Sequence, residues 1–161
     1  MERAAVQTML GDLERSGPER VGTPVRSVGV LARDLGELFP ATSDPLARRR
    51  RRACAARLAR RSLSLATAVH GLIADRPDAA RAWSFNVREV ERLMRTTDAD
   101  AAACARALSR AAALVLELPT LTDDDEWQAT LIAFADETVL SELHEACLTL
   151  TAAALAVAGS S

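Results

Sequence analysis

Several residue types that carry common chemistry are scarce in this sequence of 161 residues. Lysine and tyrosine are absent and only 3% of the residues are aromatic, so surfaces that stack single-stranded bases are not expected. The seven glycines are not clustered, and the chain has no glycine-rich loop that would cradle a phosphate. A nucleophile elbow, a kinase signature and zinc-ligand spacing are also missing. These absences exclude the enzyme classes that such motifs identify.

Cysteine and long apolar segments are scarce as well. Cys54, Cys104 and Cys147 are an odd number without a CxxC pair, so we expect buried thiols and no disulfide framework. The first residues contain no basic segment followed by an apolar one, so no secretory signal is predicted. The uncharged segment from Ala146 to Ala158 is shorter than the ~20 residues that a membrane helix needs. The sequence therefore predicts a cytoplasmic protein that does not associate with a membrane.

What the sequence does contain favours helices. Hydrophobic residues make up 49% of the chain, and most of them are alanine and leucine, with few β-branched runs. Apolar residues recur at steps of three and four, and capping residues precede the runs. We predict an all-α helical bundle in one domain that spans residues 1–161. A chain of this length buries roughly 70% of its unfolded surface.

The pattern predicts six helices, two of them long. The first contains Val6 to Leu13 and ends before Gly17-Pro18, where the spacing stops. The fifth helix is apolar nearly all round, which predicts a place in the middle of the bundle. The other helices are expected from Thr23-Pro24 to about Leu38, from Asp44-Pro45 to about Asp75, from Pro77 through Met94, from a capping-box-like start formed by Thr97 with Asp100 to Pro119, and from Thr122 to about Ala158.

Charge is distributed unevenly along the chain. Residues 1–95 hold 18 arginines and 11 acidic residues, whereas residues 96–161 hold 2 arginines and 11 acidic residues. Eight arginines lie in the arginine-rich stretch from Leu46 to Arg61, and guanidinium groups of this density bind carboxylates and phosphates. These eight are Arg48, Arg49, Arg50, Arg51, Arg52, Arg57, Arg60 and Arg61.

Three partners suit the arginine-rich stretch. The favoured ones are an acidic protein surface or the acidic residues of the chain's own C-terminal half, which would leave a solvated helix end. Nucleic acid is favoured less but stays open, because neither stacking aromatics nor a helix-turn-helix pattern accompanies the stretch. Small anions are the third alternative.

Two histidines are candidate acid–base groups. His70 has small or apolar neighbours one helical turn away, so we expect it to be partly buried, where burial would lower its pKa. His144 shares one helix stripe with Glu137, beside Asp136, and this arrangement suits proton transfer. The favoured interpretation of that stripe is nevertheless a solvent face with His144 at its edge. If the bundle has a ligand pocket, we expect aromatic side chains to line it, namely Trp83, Phe85, Trp127 and Phe134.

The acidic segment Asp123–Glu126 resembles a metal-binding cluster at first sight. It directly follows a predicted helix cap, where acids complement the positive end of the helix dipole, so we interpret it as part of that cap. No metal and no cofactor are expected.

Two hypotheses of function stay open. In the favoured one, the bundle is a non-catalytic interaction or regulatory module that uses the arginine-rich helix and an apolar helix face. In the alternative, it is a small cofactor-free lyase, isomerase or cyclase with an apolar pocket between helices. We also expect at least a homodimer, because two long helices in a short chain leave apolar flanks to cover.

Overall fold

Helix-favouring residues dominate the chain, and the computed structural model is helical through most of the residues that it describes, 3–38, 44–73, 78–96, 100–119 and 126–159. These ranges contain no strand, so the predicted all-α bundle is confirmed. They contain seven helices, one more than predicted. The helices are α1 (Arg3–Ser16), α2 (Pro24–Gly36), α3 (Pro45–Ile73), α4 (Ala79–Leu93), α5 (Ala101–Val115), α6 (Trp127–Phe134) and α7 (Glu137–Gly159).

Side-chain caps fix several helix starts, as the sequence predicts. The Thr23 hydroxyl accepts a hydrogen bond from the Arg26 N–H at 3.3 Å, and Pro24 is the first residue of α2. The Asp100 carboxylate caps α5 by accepting from the Ala103 N–H at 2.7 Å. These bonds satisfy backbone donors that a helix start leaves without partners. The start signals predicted at Pro77, Thr97 and Thr122, the helix end predicted at Asp75 and the acids Asp123 to Asp125 lie outside the described residues.

The predicted sixth helix consists of two helices. The backbone is extended at Ala135, with φ −81° and ψ 144°, and α7 begins at Glu137. The Asp136 carboxylate accepts a hydrogen bond from the Thr138 N–H at 2.8 Å, so it caps the start of α7. The apolar spacing continues through both helices, which is why periodicity alone did not predict the break.

Helices α3 and α7 form the centre of the bundle and run antiparallel. Ser62 Oγ lies 2.7 Å from Thr151 Oγ1, and the rings of His70 and His144 are in contact nearer the end of α3. Almost every residue of α7 from Ala146 to Ala158 is buried. Many of these residues are alanines, and such small side chains allow the two helices to pack closely.

The central position of α3 and α7 corrects the prediction that the fifth helix lies in the middle. Helix α5 packs against α7 and α2, but its outer face, with Arg106 and Arg110, is exposed. Ala102 and Ala113 are exposed on the same helix and make this face look apolar in the sequence. Alanine is a weak indicator of burial here, because burying a single methyl group stabilises little.

Helix α7 is the one helix among the described residues that is long and apolar enough to cross a membrane. In the structure, 67% of its most apolar 18-residue window is buried inside the bundle. Core helices of folded bundles have the same composition, so α7 is explained by its packing on α3 and α5.

The remaining helices surround this pair. Helix α2 lies on α3 and α5, and α4 lies on α3 and α7. Helix α1 packs on both α4 and α7, and the buried indole of Trp83 in α4 donates to the Leu13 carbonyl at 2.9 Å. Because α2 and α4 contact different parts of α3, they determine the surroundings of its two ends.

Candidate functional site

The candidate groups lie towards opposite ends of α3. Twenty residues separate Arg50 from His70, which corresponds to about 30 Å along a straight helix. The arginine-rich stretch covers the first half of the helix, and His70 lies in its last turn. The two sets of residues therefore form separate candidate sites.

The arginine run at the start of α3 is largely exposed. Arg48, Arg49, Arg50 and Arg52 are exposed, and none of them makes an ion pair with any residue that the structure describes. Arg51 differs, because it is half-buried and its Nε donates to the Leu38 carbonyl at 3.0 Å. Four of the five guanidinium groups are thus free to contact another molecule.

Arg57, Arg60 and Arg61 are instead held by acids of the same molecule. Arg57 contacts Asp34 at 3.2 Å, and its Nη2 lies 2.8 Å from Glu37. Arg61 Nη1 lies 2.8 and 2.9 Å from the two carboxylate oxygens of Asp34. These three arginines therefore have a structural role inside the bundle.

The acids that hold these arginines belong to the first 37 residues, not to the acidic C-terminal half that the charge distribution suggested. Arg60 completes the set, with Nη1 2.7 Å from a Glu19 carboxylate oxygen and with bonds to the Gly17 carbonyl at 3.4 Å. The reason is geometric, because α2 and the segment before it lie along this part of α3. Sequence charge totals contain no information about which helices are neighbours.

Asp34 is the most buried member of this ion-pair cluster. Its side chain is only 5% exposed, and it is shared by Arg57 and Arg61. The hydrogen bond to Asp34 is the main cause that raises the pKa of Arg57. The Cys54 thiol donates to the backbone carbonyl of Asp34 at 2.9 Å. A buried carboxylate with several donors is well compensated, and removing it would leave the arginines without their partner.

The far end of α3 carries a cluster of uncharged amide and hydroxyl groups around two histidines. The rings of His70 and His144 lie 4.8 Å apart between centroids, and His70 also contacts Phe85 at 5.3 Å. His144 Nε2 lies 3.0 Å from Asn86 Oδ1, and Asn86 Nδ2 donates to Thr67 Oγ1 at 3.1 Å. With Asn86 in this orientation, Nε2 of neutral His144 carries the proton.

The surroundings favour the neutral form of His144. Burial, followed by the proximity of His70, lowers the pKa of His144 to about 4, although Glu89 acts in the opposite direction. His70 Nδ1 is buried and makes no hydrogen bond with the described residues. Near pH 7 His144 is therefore an uncharged imidazole, and it lies half-buried beside the exposed residues Ser141 and Glu145.

The other predicted acid–base and aromatic residues do not join this cluster. Asp136 and Glu137 are exposed at the start of α7, where Asp136 acts as a cap. Trp83 and Trp127 are buried, and Phe134 is 76% exposed. Of the four aromatic residues proposed to line a pocket, Phe85 is the one that contacts His70. A shallow surface hollow lies beside Phe85, and its walls are Ala80, Arg81, Ser84, Phe85 and Arg88 of α4.

Sequence reasoning missed Asn86 and Thr67, which connect the two helices to His144. Asn86 lies three residues after Trp83, on the buried face of α4, and it is fully buried itself. A polar residue at a core position of an amphipathic helix was the available signal, because a buried amide needs partners.

The cysteines are buried thiols, as expected. Burial is the main cause that raises the pKa values of Cys54 and Cys104 to about 11 and that of Cys147 to about 12. Thiols of such high pKa are poor nucleophiles at neutral pH. Across the parts of the chain that the structure describes, no group of three or more His, Cys, Asp or Glu residues is arranged to hold a metal ion.

Comparisons with protein-family models, with curated proteins and with solved structures gave no match, so the function of this chain is argued from its own residues.

Proposed function

We propose that this protein is a non-catalytic interaction module that binds an acidic protein partner through Arg48, Arg49, Arg50 and Arg52. The observation that supports this proposal is the contrast within the arginine-rich stretch. The arginines that α2 can reach are paired with carboxylates, whereas these four are exposed without an ion pair to the described residues. Guanidinium groups that are exposed and lack such an ion pair are well suited to bind carboxylates of a second molecule.

The position of these arginines adds to the argument. Positive charges near a helix start oppose the helix dipole, and like charges three or four residues apart repel one another. Asp44 provides limited compensation, through its carboxylate bond to the Leu46 N–H at 3.1 Å. An anionic partner would remove this repulsion, which makes the stretch a stronger binding surface than the same number of scattered arginines.

The pocket alternative receives less support. His70 and His144 contact each other, Phe85 and Asn86, and neither histidine lines the surface hollow beside Phe85. A buried amide whose hydrogen bonds are satisfied, beside the neutral imidazole of His144, is also what a polar core cluster requires. Self-association stays part of the proposal, since large apolar side chains such as Ile132, Phe134 and Leu116 are exposed.

The test removes the four charges and keeps Arg51, whose bond to the Leu38 carbonyl is structural. A variant with Arg48, Arg49, Arg50 and Arg52 all changed to Gln is assayed for binding to fluorescent polyglutamate at low and high salt. We expect salt-sensitive binding of the unchanged protein and a loss of affinity of about tenfold or more in the variant. A matched control changes four other exposed arginines to Gln, namely Arg33, Arg88, Arg95 and Arg110.

An equal loss of affinity in the control variant would show that binding depends on net charge, which would contradict binding at a defined surface. Unchanged binding in the first variant would mean that the four arginines form only a solvated helix end and do not bind the partner. Light scattering on each protein reports the oligomeric state, so a change in self-association is recognised separately.

A further inference from the structure

One face of α3 continues past the point where α2 ends. Seven residues form this face, which we call the acid-facing stripe, and they recur at steps of three or four with two adjacent pairs among them. It consists of Leu46, Arg49, Arg50, Ala53, Arg57, Arg60 and Arg61. Its inner half contacts α2 and the segment before it, and its outer half comprises the first four residues.

The inner half shows what this stripe binds within the molecule. Asp34 and Glu37, three residues apart, present carboxylates to Arg57 at 3.2 and 2.8 Å. Next to these acids, the fully buried Leu38 packs in the core. Within the molecule, two arginines of the inner half thus bind acids at the end of α2 and in the turn after it, with a core leucine beside these acids.

The outer half combines two further arginines with a leucine and an alanine, and the described part of the chain leaves it exposed. Arg49, Arg50 and Ala53 are exposed, and Leu46 is 56% exposed. Helix α2 ends at Gly36, and the carbonyl of Leu38 in the turn that follows already accepts from Arg51. A leucine, a small residue and two arginines on one helix face therefore remain available.

We infer that the partner is an acidic amphipathic helix, whose carboxylates three or four residues apart would bind Arg49 and Arg50 while an apolar side chain packs on Leu46 and Ala53. This inference rests on the proposed function and specifies its partner. Leu46 and Ala53 distinguish a helix from nucleic acid, because a phosphate backbone gains little from an apolar side chain whereas a helix-in-groove contact depends on one. The small side chain of Ala53 allows a second helix to approach this face closely.

The experiment compares four probes of similar length on the full chain. The first is a helical peptide with Glu and Leu on one face, and the second has the same composition in an order that separates Glu from Leu. Polyglutamate and a short DNA duplex are the third and fourth. Each is titrated against the unchanged protein, the fourfold Arg→Gln variant, Leu46→Ser and Leu116→Ser. Leu116 is a matched control because it is a leucine with 82% exposure on a different helix end.

We expect the amphipathic peptide to bind more tightly than the reordered peptide. Leu46→Ser should weaken that binding by about fivefold, the value for burial of part of one leucine, and leave polyglutamate binding unchanged. Leu116→Ser should have no effect on either probe.

The remaining outcomes separate this inference from the proposed function. If both peptides bind equally and Leu46→Ser has no effect, the inference of an amphipathic helical partner is wrong. Arginine-dependent binding of polyglutamate would still support an acidic partner. Tightest binding to DNA, independent of Leu46, would contradict the helix and favour nucleic acid. If no probe binds in a salt-sensitive way, both proposals are wrong. Circular dichroism on each variant shows that the bundle remains folded.

Discussion

The polar side chains at the two ends of α3 differ in charge and in exposure. At its start the polar groups are permanently charged, and four of them are exposed without an ion pair among the described residues. At its end the polar groups are largely enclosed, with neutral His144 bonded to Asn86 and Asn86 bonded to Thr67. Charges that remain in water suit an external partner, whereas a neutral buried network fixes which helices pack together.

Between these ends, the paired arginines show what separates the two solutions. Arg57 and Arg61 have a buried carboxylate within reach because α2 runs beside them, and the exposed arginines lie where α2 has ended. Arginine content alone therefore does not define a binding surface. The length of the neighbouring helix decides which guanidinium groups are structural and which are available.

The largest expected effect tests the structural arginines. Replacing Asp34 with Ala removes the carboxylate shared by Arg57 and Arg61 and leaves both guanidinium groups without it. We expect a loss of about 2 to 3 kcal/mol in the free energy of unfolding, measured by chemical denaturation. The matched control is Glu37→Ala, since Glu37 binds the same Arg57 but is 61% exposed. Its loss should stay below about 1 kcal/mol.

Equal losses for Asp34→Ala and Glu37→Ala would contradict the distinction drawn between buried and exposed pairs. Because both substitutions place alanine in or next to the same helix, their effects on helix propensity are similar and largely cancel in the comparison. Binding of polyglutamate should be unaffected by Glu37→Ala, because the exposed arginines at the start of α3 remain.

Much of the fold was predictable from local signals. Thr23-Pro24 gave a helix start that the structure confirms, because caps act within a few residues of chain. Asp100 was expected inside the first turn of a helix that starts at Thr97, and it is instead the cap of α5. The break at Ala135 and the outer position of α5 were not predicted. Both depend on which face of a helix meets its neighbours, and alanine-rich segments look apolar on every face.

The candidate site was predictable only in part, and for a related reason. The unusual density of arginine is visible in the sequence, as is the apolar neighbourhood of His70. The contact between His70 and His144 joins residues 74 positions apart, and the antiparallel pairing of α3 with α7 produces it. Periodicity gives the face on which a residue lies but not the register between two helices, so neither this contact nor the Arg61–Asp34 pair could be derived.

The second expected effect tests the neutral end of α3 through pH. In the unfolded chain, His144 is protonated once the pH falls below the ordinary histidine pKa of about 6.5. In the native state it is protonated only when the pH falls to about 4. Stability due to this group is therefore present above about pH 6.5 and lost as the pH falls towards 4, by about 2 kcal/mol between pH 7 and pH 5.

His144→Gln removes this titration, and the glutamine can still donate a hydrogen bond towards Asn86. Its free energy of unfolding should therefore decline less than that of the unchanged protein over the same pH range, even if the loss of the His70 contact makes it less stable at pH 7. Chemical denaturation at both pH values measures the two slopes. Parallel declines in the two proteins would contradict a neutral, buried His144 and weaken the contrast between the ends of α3.

The smallest expected effect concerns the exposed arginines, and its sign is the informative part. If Arg48, Arg49, Arg50 and Arg52 serve a partner, changing all four to Gln should stabilise the isolated protein by about 1 kcal/mol at low salt, because it relieves repulsion between like charges at the positive end of a helix. The gain should vanish at high salt, where these exposed charges are screened. The same change should abolish polyglutamate binding. A destabilised variant would instead mean that these arginines hold the bundle together, as Arg57 and Arg61 do, and the two halves of the arginine-rich stretch would no longer differ.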